Sequence, residues 1–347
     1  MIIFFSENPS TLINGISISN KIMYRVMNST QKVLWIEEFG RRKLSKEILS
    51  ILKIFKTIFF YKKIKFFYCV LPTSVIGLIK IIFILKLINL VNKDIKYMFH
   101  IHRSDLIKNF NKNIFVNLLF RYIKKNHNSI HCIFVISMKL KKDLDRLFKK
   151  KIKIIIKKNS LSIKHKIRAQ KKNLLNKKIK LIYLSNILKS KGILHLCKKI
   201  SKTNFNKLYE LTIYGKILDL PSEKFFQNNK FENIFLKKTL KDAKEKFNTL
   251  KKYDALILPS KNEGDPLCII ESMSIGLPVI CYNVGYIEET LGKKYDLYLD
   301  NNSMSMIYTK LTSKKYYKKI SNYLLKTFKQ RDKKNILADK EIKNFLT

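Results

Sequence analysis

Cysteine is sparse and isolated in this chain. Cys69, Cys132, Cys197, Cys268 and Cys281 lie far apart, mostly in apolar runs, and form no C-x-x-C pair. That spacing excludes a disulfide framework and reads as the reduced core cysteines of a cytoplasmic protein. None of the six histidines stands at metal-ligand spacing from a cysteine, so no metal site is expected. Acid is short too, with 25 Asp and Glu against 71 Lys and Arg and a formal net charge of +46. Such an imbalance suits an anionic partner, whether nucleic acid, phospholipid or a phosphorylated substrate. The lysines, however, run the whole length in company with many isoleucines and asparagines. All three have codons rich in A and T, so a biased genome is the favoured explanation of the excess.

Long hydrophobic runs are missing as well. The opening MIIFFSENPS is too short in its apolar part for a secretory leader and has no basic stretch before it, so it reads as a first strand. Val70 to Val91 is interrupted by Pro72, Lys80 and Lys86, and Thr73 or Ser74 can cap a helix there. A buried or surface-docked helix is therefore expected in place of a span. No repeat at a fixed period and no low-complexity segment beyond the lysine bias interrupts the chain.

At 347 residues and 46% hydrophobic, the chain can bury two cores. Short runs rich in Ile, Phe, Val and Tyr recur at Ile2 to Phe5, Val33 to Ile36, Phe66 to Leu71, Ile95 to Ile101 and Cys132 to Ile136. Longer segments with helical spacing lie between them, at Ile16 to Met27, Leu44 to Phe60 and Leu106 to Lys124. Alternation of this kind predicts a parallel sheet covered on both faces. Lys157 to Lys178 reads as a linker. The alternation resumes with Lys180 to Leu184, Leu211 to Tyr214, Asn233 to Leu236, Asp254 to Leu258 and Val279 to Tyr282, and Lys314 to Phe328 reads as an amphipathic helix. The expected organisation is α/β, with doubly wound parallel-sheet domains at 1–165 and 175–310 and a helical tail at 311–347 packing back toward the first domain. Two such units make a cleft at the carboxyl ends of their strands, where ligands bind.

The densest signal is Asn262 to Val284, NEGDPLCIIESMSIGLPVICYNV. Asp265 suits an N-cap, Pro266 the first helical position and Gly276 the left-handed C-terminal turn, while Pro278 blocks continuation. These signals predict a helix of about ten residues between two buried strands. A strand leading through a glycine-bearing loop into a helix presents free N–H groups and a positive dipole end, which suits phosphate.

With Glu263-Gly264, seven residues between Glu263 and Glu271, then Gly276-Leu277-Pro278-Val279-Ile280 and Gly285 with Glu288 and Glu289, the chain resembles the retaining glycosyltransferases of family 4, or group 1 glycosyl transferases. Tyr183 to Gly192 (YLSNILKSKG) and Glu210 to Gly215 (ELTIYG) are similar to two further family segments, in the same order. The likeness is strong over Lys180 to Leu291, moderate before it and weak after it.

The resemblance implies the GT-B fold, with two Rossmann-like domains facing across a cleft. It also implies a nucleotide-diphosphate sugar as donor, with no cofactor and no metal. Glu271 would accept from the ribose hydroxyls, with Gly215 beneath the nucleotide, and Glu263 would lie beside the transferred sugar. Lys191 would meet the diphosphate together with the N–H groups near Leu267 and Cys268. Asn186 stands where the family carries arginine five residues before the lysine, with Lys189 as a nearby cation. Asp265 stands where an apolar or aromatic residue is usual. In the first half, Lys96 to Asp105 (KYMFHIHRSD) resembles the strand end whose histidine faces the donor sugar. It offers His100, His102 and Arg103, with His102 favoured as nearer the strand's end. Gly15 stands for the glycine loop after the first strand, and Ser137 for the cap of a helix.

The function so implied is retaining transfer of a sugar to a hydroxyl acceptor, a surface polysaccharide or lipid-linked glycan, at the cytoplasmic face of the cell membrane. Peripheral contact with anionic lipid accompanies it. The rivals are a basic nucleic-acid-binding protein and a non-catalytic chain of the same fold. The first would need a basic patch interleaved with aromatics or a helix-turn-helix, and the sequence has neither.

Overall fold

The structure, a computed structural model, describes residues 1–11, 14–39, 44–61, 63–72, 74–103, 114–161, 178–201, 205–240, 242–300 and 302–347. Thr73, the start of the Leu106 to Lys124 helix, Asp105, and residues 162–177 of the expected linker lie outside them. The chain divides into two units, Met1–Ser160 with Lys334–Thr347, and Leu161–Lys333.

The first unit alternates β1 (Ile2–Ser6), α1 (Gly15–Asn28), β2 (Val33–Glu37), α2 (Leu44–Phe60), β3 (Phe66–Val70), α3 (Val75–Val91), β4 (Lys96–Ile101), α4 (Ile114–Lys125), β5 (Ile130–Val135), α5 (Met138–Leu147) and β6 (Ile154–Ile156). Its strands lie in the order β2-β1-β3-β4-β5-β6, every pair parallel. Ile2, Ile3, Phe4 and Phe5 are all fully buried. Continuous apolar runs, lacking any polar alternation, are what a sheet covered on both faces requires. On one face Phe4, Tyr68, Met98 and Phe134 pack with Met23 and Met27 of α1 and with Ile342 and Leu346 near the end of the chain. Phe4 and Tyr68 stack with ring centroids 4.2 Å apart.

The second unit contains β7 (Ile179–Leu184), α6 (Ile193–Ser201), α7 (Phe205–Leu208), β8 (Tyr209–Tyr214), α8 (Leu220–Asn228), β9 (Ile234–Lys237), α9 (Ala243–Leu250), β10 (Ala255–Leu258), α10 (Leu267–Ser274), β11 (Val279–Cys281), α11 (Ile287–Leu291) and α12 (Met304–Thr312), then α13 (Lys314–Leu346). The order is β11-β10-β7-β8-β9, again all parallel. From β7 the chain moves to β8 and β9 on one side, then crosses to β10 on the other. The order in which strands are added therefore reverses between β7 and β10, and ligands bind open α/β sheets beyond the carboxyl ends at such a point.

Most predicted strands appear within a residue or two of their expected bounds, and Ser137 caps α5 by accepting from the Leu140 N–H at 2.9 Å. Three expectations change. β6 is a strand inside a lysine-rich stretch that carries only a three-residue apolar signal. Lys157, read as the start of a linker, is 4% exposed and its ammonium lies 2.5 Å from Asp339. The terminal helix runs on to Leu346, well past Phe328, and residues from Lys334 belong to the first unit. No described helix is long and apolar enough to cross a membrane. The five cysteines are free and buried.

Candidate active site

At the carboxyl edge of the second sheet, close backbone approaches set the side chains. After β7, Ile187 bridges to Ile217 beyond β8. A Cβ on Gly215 would stand 1.9 Å from the Ser185 carbonyl oxygen, so only glycine lets these two strand ends meet. Asn186 is half-buried beside them, and its carbonyl accepts from the Tyr183 hydroxyl at 2.8 Å. Lys189–Lys191 then forms a single 3-10 turn that ends on Gly192 at φ +73°. The Lys189 N–H donates to Asp219 at 2.8 Å. A Cβ on Gly192 would come within 2.2 Å of the Pro259 carbonyl oxygen, just past β10. The Lys-Gly turn is thus pressed against the loop that follows β10, across the switch point. Gly192→Ala combines left-handed strain with this clash and should cost about 1–3 kcal/mol. Thermal unfolding checks it, and an unchanged melting temperature contradicts the close packing.

Pressed there, Lys191 places its Nζ 2.6 Å from Oε1 of Glu263. Glu263 is 9% exposed in the loop, and its carbonyl accepts from the Tyr286 N–H at 3.1 Å. The following helix starts at Leu267, one residue later than expected, with Pro266 at the cap position and no side-chain cap bond. Asp265 does not cap it. Its carboxylate is held by the guanidinium of Arg331 and accepts from the Thr290 hydroxyl at 3.0 Å. Ile269 and Ile270 donate back to Pro266, while the N–H groups of Leu267 and Cys268 precede the first backbone bond of the helix. The helix closes as predicted on Gly276 at φ +69°.

On the second turn of α10, Glu271 is 6% exposed and pairs with Lys246 of α9 at 2.9 Å. The buried Cys268 thiol feels both carboxylates, its pKa pushed up to about 12, first by burial and then by Glu263 and Glu271, with Lys191 and Lys246 opposing. Four charges, two of each sign, therefore act on one small volume. Lys246, Arg331 and Thr290 were not among the predicted site residues. In a chain with so many lysines, Lys246 carries no local signal.

In the first unit, His100 is the last residue but one of β4 and is buried, its Nδ1 2.7 Å from the Tyr68 hydroxyl. Its pKa lies well below the usual histidine value, through burial first and then the neighbouring His102 and Lys157. His100 is therefore neutral at ordinary pH. The ring of His102 lies 3.9 Å from it, centroid to centroid, and is also buried, whereas Arg103 is exposed. Gly15 is the exposed first residue of α1, not part of a loop. The Asn14 side chain caps that helix by accepting from the Ser17 N–H at 2.8 Å.

Residues 165–331 match the family of group 1 glycosyl transferases. The second unit belongs to that family. Several solved structures share the fold over the chain as a whole. The lipopolysaccharide outer core galactosyltransferase WaaB, in its apo form, is 14% identical with a TM-score of 0.62, covering 99% of this chain and 98% of WaaB. An α,α-trehalose-phosphate synthase from Burkholderia xenovorans is 8% identical at a TM-score of 0.66, with 100% of each chain covered. TarM is 17% identical at a TM-score of 0.60, over 86% of this chain and 58% of TarM. This chain thus spans little more than half the length of TarM. No protein of curated function matches the sequence. The fold is GT-B, and the stretch that matches the family contains Lys191, Glu263 and Glu271.

Proposed function

We propose that the chain is a retaining glycosyltransferase that moves a sugar from a nucleoside diphosphate donor to a hydroxyl of a glycan or lipid-linked acceptor, without metal or other cofactor. One observation carries this: at the switch point of the second sheet, a lysine and a helix start without a side-chain cap adjoin two buried glutamates. As the glycosidic bond breaks, the departing diphosphate gathers charge that the Lys191 ammonium and the N–H groups of Leu267 and Cys268 can stabilise. Glu263, exchanged from Lys191 by the donor's phosphates, lies beside the sugar. Glu271 accepts from the ribose. Retention follows when the leaving phosphate takes the acceptor's proton on the same face.

Solved neighbours support the donor class in their own right, since a structure of TarM from S. aureus holds UDP with alpha-GlcNAc-glycerol. The acceptor and the work at the inner face of the cell membrane are part of the same proposal. A panel of nucleotide sugars tests it by thermal stabilisation, because a ligand at a hundred times its Kd adds about 2.7 kcal/mol. No shift with any of them, and no donor hydrolysis, overturns it. Chelator should leave turnover intact, and loss restored by Mg²⁺ or Mn²⁺ overturns the metal-free step. Glu271→Ala should raise KM for the donor with kcat little changed, the pattern of lost uniform binding. A pure fall in kcat would remove Glu271 from the ribose.

A further inference from the structure

Helices α2, α3 and α4 pack side by side along the first sheet, and they carry a surface that sugar transfer does not use. α3 turns Leu78, Ile81, Leu85 and Ile88 inward. Its other side has little of the polar cover that a water-facing helix carries, for only Gly77, Lys80, Lys86 and Asn89 break its apolar sequence. Ile79, Phe83 and Leu90 point outward at 46%, 53% and 79% exposure. α2 repeats this spacing, with Ile48, Leu52 and Phe59 at 50%, 57% and 73%. Residues four, seven and eleven apart share one helix face, so α2 presents a continuous apolar stripe and α3 one broken only by Lys86. Exposed apolar surface on this scale marks an interaction site.

Charge says what covers it. Lys53 and Lys56, beside the stripe of α2, and Lys86, within that of α3, are exposed. The one acid in the three helices, Glu47, faces inward, its carboxylate 2.6 Å from the Lys80 ammonium. The outer face is thus apolar and cationic with no acid of its own. A second copy, bearing the same +46, would be repelled. Phospholipid with anionic headgroups offers both an apolar boundary for the stripes and phosphates for the lysines. We propose that the outward face of α2 and α3 docks the chain on an anionic phospholipid surface. Neither helix crosses it. Docking would serve the lipid-linked acceptor proposed above and rests on that assignment for its purpose, though vesicle binding can be measured without any sugar transfer.

The full chain is sedimented with vesicles of phosphatidylcholine alone and of phosphatidylcholine mixed with phosphatidylglycerol. Binding is expected to the mixed vesicles, falling as salt rises. Each of Lys53→Gln, Lys56→Gln and Lys86→Gln should weaken it about fivefold. Leu52→Gln with Phe83→Gln should weaken it about tenfold or more. Leu220→Gln, at an exposed leucine of the second unit, should not. All these positions are exposed, so unfolding temperatures should hold within a few degrees, and variants at either stripe are independent checks. Equal binding by every variant, or no binding to mixed vesicles, overturns the docking face. So does stripe-dependent self-association in place of vesicle binding. Stripe-dependent vesicle binding together with failure of every nucleotide sugar to stabilise the chain supports docking and sinks the transferase proposal alone.

Discussion

Lys191→Ala is expected to lower sugar transfer roughly 10²- to 10³-fold, the usual cost of removing one donor aimed at developing negative charge. The fall should appear in kcat more than in KM, since the ammonium matters most when the diphosphate departs. Structure adds a second effect. Nζ of Lys191 stands 2.6 Å from Glu263, whose side chain is 10% exposed, and truncation leaves that carboxylate nearly buried without its cation. Lys191→Ala with Glu263→Gln separates the two effects, since it removes the stranded charge but leaves the diphosphate without its cation. Single-turnover rates decide the matter. Kinetics unchanged in Lys191→Ala would take the lysine out of the mechanism.

The largest loss of stability is expected from Arg331→Ala. Arg331 and Asp265 are paired with side chains 6% and 2% exposed, and the Thr290 hydroxyl adds a 3.0 Å bond to the same carboxylate. Breaking a buried pair by removing one partner costs about 3–5 kcal/mol, because the other charge stays behind. At about 2–4 °C per kcal/mol for a unit of this size, the melting temperature should fall by about 10 °C. Replacing both residues, Arg331→Met with Asp265→Ala, should restore most of the loss, since no stranded charge remains. Calorimetry of the two variants makes the comparison. Equal damage in both would show that the pair is held for packing alone. Donor binding is also at stake, because an unpaired Asp265 would bring negative charge beside the start of α10, where the phosphates are proposed to sit.

Much of this was legible along the chain. Apolar runs of strand length alternating with helical spacing specify parallel sheets, because strands covered on both faces need no polar side. Gly276 with Pro278 closes α10 as read, since the left-handed turn and the missing N–H of proline are local properties. β6 was missed because three isoleucines among lysines are too short a signal, and they become a strand only through pairing beside β5. Asp265 was misassigned for a different reason. Capping is decided by the nearest competing partner, and that partner is Arg331, 66 residues away in sequence.

By itself the sequence determined the two α/β units, the positions of their strands except β6, and the stretch from Asn262 to Val284 as the place for the proposed chemistry. Only the tertiary structure decided which charges meet. Lys191 reaches Glu263 across 72 positions and Lys246 reaches Glu271 across 25, contacts set by the order β11-β10-β7-β8-β9. Periodicity and caps act within a few residues and leave a mark in the local sequence. Ion pairs form between whichever side chains the sheet order brings together, and in a chain so rich in lysine no local pattern singles out the partner.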